Sequence, residues 1–132
     1  MNRILIAILV LFFLSVAQPL MAADICSLGA QAVGKDKKQV EEFYNRMVQG
    51  QLITGTGTID KLTRIGGEGS SSNYEARILC SPKVVLLVRT NDFGVKASRA
   101  KKGVVVSFKG QCIKMYLGVG GKVFCIVRAS IS

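Results

Sequence analysis

Three observations predict a mainly β fold, a small closed five-stranded barrel preceded by one amphipathic helix. Five β-prone runs follow one another between Leu52 and Ile131. A single stretch of helical periodicity, residues 36–49, stands directly ahead of them. The first run is long and interrupted by Gly55 and Gly57, as a bulged or bent strand would be. Short strands with a glycine-bent first member suit a closed barrel better than a flat sheet, because closure removes exposed edges.

Each element has its own warrant. In the helix, Val40, Phe43, Tyr44, Met47 and Val48 form one apolar stripe at i, i+3, i+4, i+7 and i+8. Asp36 with Gln39 three residues on can cap its start, and Gly50 stands where it ends. The strands are then read as residues 52–65, 74–80, 84–90, 103–115 and 122–131. Gly66 to Asn73 is a Gly/Ser loop, and Ser81-Pro82 turns the second strand into the third. Asn91 to Lys102 is polar and basic, a loop or short helix. The last two strands are joined across Leu117 to Gly121.

The front of the chain reads as an export signal. Arg3 is followed by an apolar run of 13 residues, Ile4 to Val16, then Pro19 and the small residues of Met21-Ala22-Ala23. Basic start, apolar core and small-residue exit are the parts of a signal peptide, and the run is short of the roughly 20 residues that span a bilayer. An uncleaved anchor is the alternative. Residues 1–23 are thus expected to be removed, leaving 24–35 as an N-terminal extension and 36–132 as helix plus barrel, in the periplasm or secreted, with no stable membrane span. Ile25 precedes Cys26 where a lipobox has Gly or Ala, so Cys26 reads as an ordinary residue near the new terminus.

Charge is unevenly placed. The chain has 18 Lys and Arg against 8 Asp and Glu, a net of +10. From Asp24 to Pro82 seven basic residues balance seven acids, whereas from Lys83 onward ten basic residues face only Asp92. A field of that sign concentrates anions, which points to nucleic acid, anionic glycans, lipid headgroups or acidic proteins; a solvated basic surface is the plainer alternative.

Four cysteines, Cys26, Cys80, Cys112 and Cys125, occur without a CxxC and in a chain with no histidine, so a metal site is not expected. In an exported protein an even number reads as disulfides. Of the three connectivities, the favoured one joins Cys112 to Cys125 across the last hairpin, whose turn lies near their midpoint, and Cys26 to Cys80. Buried free thiols are the alternative.

Two segments carry a resemblance. Gly50-Gln51-Leu52-Ile53-Thr54-Gly55-Thr56-Gly57-Thr58-Ile59 is similar to the opening of OB-fold strands. Lys102-Gly103-Val104-Val105-Val106-Ser107-Phe108-Lys109-Gly110-Gln111-Cys112 resembles the fourth strand of the tRNA-anticodon-like OB-fold family of small bacterial exported proteins. In that family a second cysteine often stands in the last strand, as Cys125 does here. The resemblance covers about residues 38–131 and implies an OB-like barrel and an exported location, but no established activity.

The residues exclude much chemistry. Without histidine the commonest acid–base and Ser-His or Cys-His mechanisms are closed to this chain. Asp60, Glu68 and Glu75 are scattered, and Gly66-Gly67-Glu68-Gly69 lacks the Lys-Ser/Thr of a phosphate cradle. No catalytic residue, cofactor or metal is expected. A binding role is better supported, because OB barrels bind oligonucleotides and oligosaccharides on strands 2 and 3, between the 1–2 and 4–5 loops. Tyr74 begins the predicted second strand, Phe93 follows the third, and Tyr116 enters the 4–5 connection. Arg77 and Arg89 lie in the same two strands, with Arg99, Lys101, Lys102, Lys109, Lys114 and Lys122 adding positive charge. Aromatic platforms beside a basic groove are what single-stranded nucleic acid requires. The expected function is a non-catalytic module for an anionic polymer, single-stranded nucleic acid or an envelope glycan; the alternative is a protein-interaction or structural module of an envelope assembly.

Overall fold

The computed structural model describes residues 22–65, 74–90 and 102–131. A two-residue strand β1 (Ala23–Asp24) leads into helices α1 (Ile25–Ala32) and α2 (Lys37–Phe43), the latter continuing as a π-helical turn (Tyr44–Val48). Strands β2 (Ile53–Arg64), β3 (Tyr74–Ser81), β4 (Val84–Thr90), β5 (Val105–Leu117) and β6 (Val123–Ile131) follow. They pair in the order β2-β3-β4-β6-β5, and β5 returns to β2, closing the barrel. Only β4 and β6 run parallel within it. The helix-then-barrel architecture read from the sequence is therefore present, and the barrel is OB-like.

Strand β2 closes the barrel by changing partners. Residues 53–58 pair with β5, and from Ile59 onward the strand pairs with β3, with the register slipping between Ile59 and Lys61. The expected bulge thus lies beyond Gly55 and Gly57 rather than at them. Those glycines are demanded by packing instead: a Cβ at Gly55 would strike the Phe108 ring, and one at Gly57 the Ile78 side chain. Gly110 is tighter still, because a Cβ there would run into the backbone of Arg128 and Ala129 across the β5–β6 ladder. Backbone on both flanks cannot move aside without breaking pairs. Gly110→Val is expected to cost about 3 kcal/mol, the upper range for overpacking, read as a shifted urea midpoint with an unchanged slope.

Alternation along the strands sends Ile53, Ile59, Ala76, Ile78, Leu86, Val88, Phe108, Val123 and Val127 inward, all nearly inaccessible. One end of this core is closed by Ile25, Leu28 and Ala32 of α1 and by Val40, Phe43 and Val48 of the α2 segment. The capping box expected at Asp36 and Gln39 is formed, with Gln39 N–H donating to Asp36 at 2.8 Å and Asp36 N–H to Gln39 at 3.0 Å. Part of the stretch read as an N-terminal extension is helix α1: Asp24 caps it by accepting from Cys26 N–H, and the Cys26–Cys80 disulfide ties it to β3. No helix among the described residues is long and apolar enough to cross a membrane.

The second expected disulfide is absent, as Cys112 and Cys125 are buried free thiols. The reason is the register of the hairpin. Its strands pair about Gly120, beyond the midpoint of the two cysteines, so Cys112 faces Val127 and Cys125 faces Met115, leaving the two cysteines diagonal rather than opposed. Their side chains share a hydrogen bond that holds the Cys112 thiol below its usual range, against the effect of burial. The same bond, reinforced by burial, pushes the Cys125 thiol far up. Exposure decides reactivity here, because Cys112 and Cys125 are 2% and 0% accessible. A thiol reagent should label neither in the native, oxidised protein and both after denaturation; rapid native labelling would contradict this packing.

Candidate functional site

Strand register settles which side chains share the outer wall of the barrel. Across β3, β4, β6 and β5 one row reads Leu79, Val85, Phe124, Tyr116. The next reads Arg77, Leu87, Ile126, Lys114, and the third Glu75, Arg89, Arg128, Gln111. The wall is thus apolar in one row and increasingly charged away from it. Val85 is fully buried yet stands outside the barrel's core cluster, on the opposite face of β4 from Val84 and Leu86. Leu79, at the edge of the same row, is 43% exposed.

The apolar row ends in an aromatic pair. Tyr116 and Phe124 are directly opposed across β5 and β6, with ring centroids 5.3 Å apart and planes 9° apart. The Lys114 ammonium stands over the Tyr116 ring, also 5.3 Å from its centroid, within the range of a cation–π contact. Just beyond lies the β5–β6 turn, where Gly120 and Gly121 adopt the left-handed conformations that close it. Lys83 reaches across from the β3–β4 turn and donates to the Gly120 carbonyl at 2.6 Å. Gly118 leaves room for the edge of the Phe124 ring.

The sequence-predicted residues divide sharply. Arg77 and Arg89 share one face, and Lys114, Tyr116 and Lys122 lie on the same wall or at its turn. Lys109 is on this side of β5 but seven residues from Tyr116, roughly 20 Å along the strand. Lys102 borders a separate small cleft with Thr58, Asp60 and Leu79. Tyr74 belongs with the inward residues of β3, packed against the core, and cannot serve the wall as expected. Arg99, Lys101 and Phe93 lie outside the described residues, as do the Gly66–Asn73 loop and residues 1–21 of the expected leader.

Two of the expected cations are already engaged. Arg89 Nε donates to Glu75 at 3.0 Å, and Arg77 Nε lies 3.4 Å from Asp60 without forming a hydrogen bond. Among the described residues Lys114, Lys122 and Arg128 make no ion pair. Phe124, Ile126 and Arg128 were missed because β6 begins as an unbroken apolar run, Val123 to Val127, in which period-two alternation is invisible. Arg128 ending that run was the one available cue.

A second feature adjoins the aromatic pair. The α2 segment packs on β5, where the Tyr44 hydroxyl donates to the Cys112 carbonyl at 3.0 Å. Burial, and then the neighbouring Cys112, push the Tyr44 phenol above its ordinary value, so it remains a neutral donor. Between the helical segment and β5 lies a cleft of about 340 Å³. Among the described residues no cluster of three or more Cys, Asp or Glu side chains could hold a metal ion. No known family model matches the chain, and no curated protein is significantly similar to it in sequence.

Proposed function

We propose that this protein is an exported, non-catalytic OB-like module that binds an anionic polymer on the outer wall formed by β3, β4, β6 and β5. The observation that carries the reading is the stacked Tyr116–Phe124 pair set among cations without acidic partners, Lys114, Lys122 and Arg128. Stacked rings offer a planar surface to a base, and the cations meet the backbone that joins successive bases. The basic excess of the C-terminal half supports it, since this wall draws most of its charge from there. The resemblance of the first and fourth barrel strands to the exported OB-fold family supports the exported, OB-like part of this reading.

Anisotropy of a labelled single-stranded oligonucleotide tests it. If Lys83, Lys114, Lys122 and Arg128 meet phosphates, affinity falls about 50-fold between roughly 50 and 200 mM salt. Binding should also resist heparin, a polyanion without bases to stack. No binding, or equal displacement by heparin, would contradict the nucleic-acid form of the proposal. The apolar members of the wall that keep some exposure, Leu79, Leu87 and Ile126, favour a second reading, a protein-docking surface of an envelope assembly. That reading predicts weak oligonucleotide binding and a specific partner lost on Leu79→Glu.

A further inference from the structure

We infer that the cleft between the α2 segment and β5 is a subsite for one nucleotide unit bearing a single phosphate. This rests on the proposed polyanion reading and names the unit that the cleft takes. Its volume, about 340 Å³, lies near the small end of ligand pockets, which run from about 300 to 1,000 Å³. That is room for one ring and its substituents, with the rest of a strand leaving over the outer wall.

The lining matches such a ligand group by group. Lys37 from the helical side and Lys114 from β5 bring two ammonium groups to one cleft, from elements joined only by tertiary packing. Tyr116 supplies a ring whose position is fixed by the stack on Phe124. The Lys114 ammonium over that ring is where a base would lie; the flexible lysine is displaced from the ring to the phosphate. Asn45 adds an amide, a donor and an acceptor side by side, as reading a base edge requires.

Two further details narrow the ligand. Glu41 shares the cleft, and its carboxylate opposes a second phosphate, which favours a monophosphate over a di- or triphosphate. The Tyr44 hydroxyl is committed to the Cys112 carbonyl, so Tyr44 holds the wall and leaves the ligand to its neighbours. Tyr44 and Asn45 open the π-helical turn, closed by Gln49 N–H donating to the Tyr44 carbonyl at 2.8 Å. Such widened turns occur frequently at functional sites.

Calorimetric titration of the oxidised protein with uridine monophosphate, uridine, inorganic phosphate and glucuronate tests the assignment, with tyrosine ring resonances followed by NMR. The monophosphate should bind roughly tenfold more tightly than uridine or phosphate and shift the Tyr116 ring signals. Lys37→Ala should weaken it by a similar factor, whereas Lys61→Ala, on β2 and outside the cleft lining, should leave it unchanged. Phosphate binding as tightly as the monophosphate, glucuronate binding equally well, or indifference to Lys37→Ala would each overturn the inference. Oligonucleotide binding without a monophosphate site would overturn it while leaving the outer-wall reading intact. Monophosphate binding without oligonucleotide binding would do the reverse.

Discussion

Replacing Cys26 and Cys80 together by serine is expected to lower stability by about 4 kcal/mol, the loop-closure value for a cross-link spanning 54 residues. For a domain of this size that is a fall in melting temperature of roughly 15–25 °C. The effect is large because the bond joins two parts of the fold that local interactions hold together weakly. Helix α1 has only eight residues, too few to persist alone, and it covers one end of the barrel through Ile25, Leu28 and Ala32. Release of α1 would expose that end of the core, where Gly29 rests against Val84 and Cys125. The thiols of Cys112 and Cys125 should then react in the double variant under conditions where the parent protects them. Unchanged denaturation midpoints would mean that packing alone secures α1.

Tyr116→Leu is expected to weaken single-stranded oligonucleotide binding by about 5- to 150-fold, the loss of one stacked base at 1–3 kcal/mol. Leucine keeps apolar cover over Phe124 while removing the planar ring, so the variant should remain folded. Tyr116→Phe retains the ring and should bind like the parent, because no hydrogen bond of the Tyr116 hydroxyl enters the account. Measuring both variants at one salt concentration separates stacking from charge. Equal affinity for the leucine variant would move the binding surface away from the aromatic pair.

Local pattern and long-range packing were unequally legible in the sequence. The α2 stripe, its Asp36 cap and the strand runs could be read because each is encoded within a few residues. Helix α1 was read as extension although Ile25, Leu28 and Ala32 share a face, since so short a segment is stabilised by the disulfide and by the barrel it covers. Gly55 and Gly57 looked like a bulge, whereas their cause lies in Phe108 and Ile78, residues distant in the chain. The pairing of Cys112 with Cys125 failed on register, because the hairpin pairs about Gly120 rather than about the midpoint of the two cysteines. For the binding surface, residue types were visible but faces were not. Tyr74 turned inward, Arg89 acquired Glu75 as its partner, and Phe124 joined Tyr116, all consequences of register.

Backbone amide shift mapping of the oxidised protein with an unlabelled oligonucleotide of about 12 nucleotides, within the span one OB barrel covers, tests the central claim most directly. The account predicts perturbations concentrated on Leu87, Arg89, Lys114, Tyr116, Phe124, Ile126 and Arg128. Thr54, Thr56 and Lys109, where β5 meets β2, should stay unmoved. Perturbations centred on that β2–β5 side instead, or none at saturating oligonucleotide, would contradict the assignment of the outer wall as the binding surface.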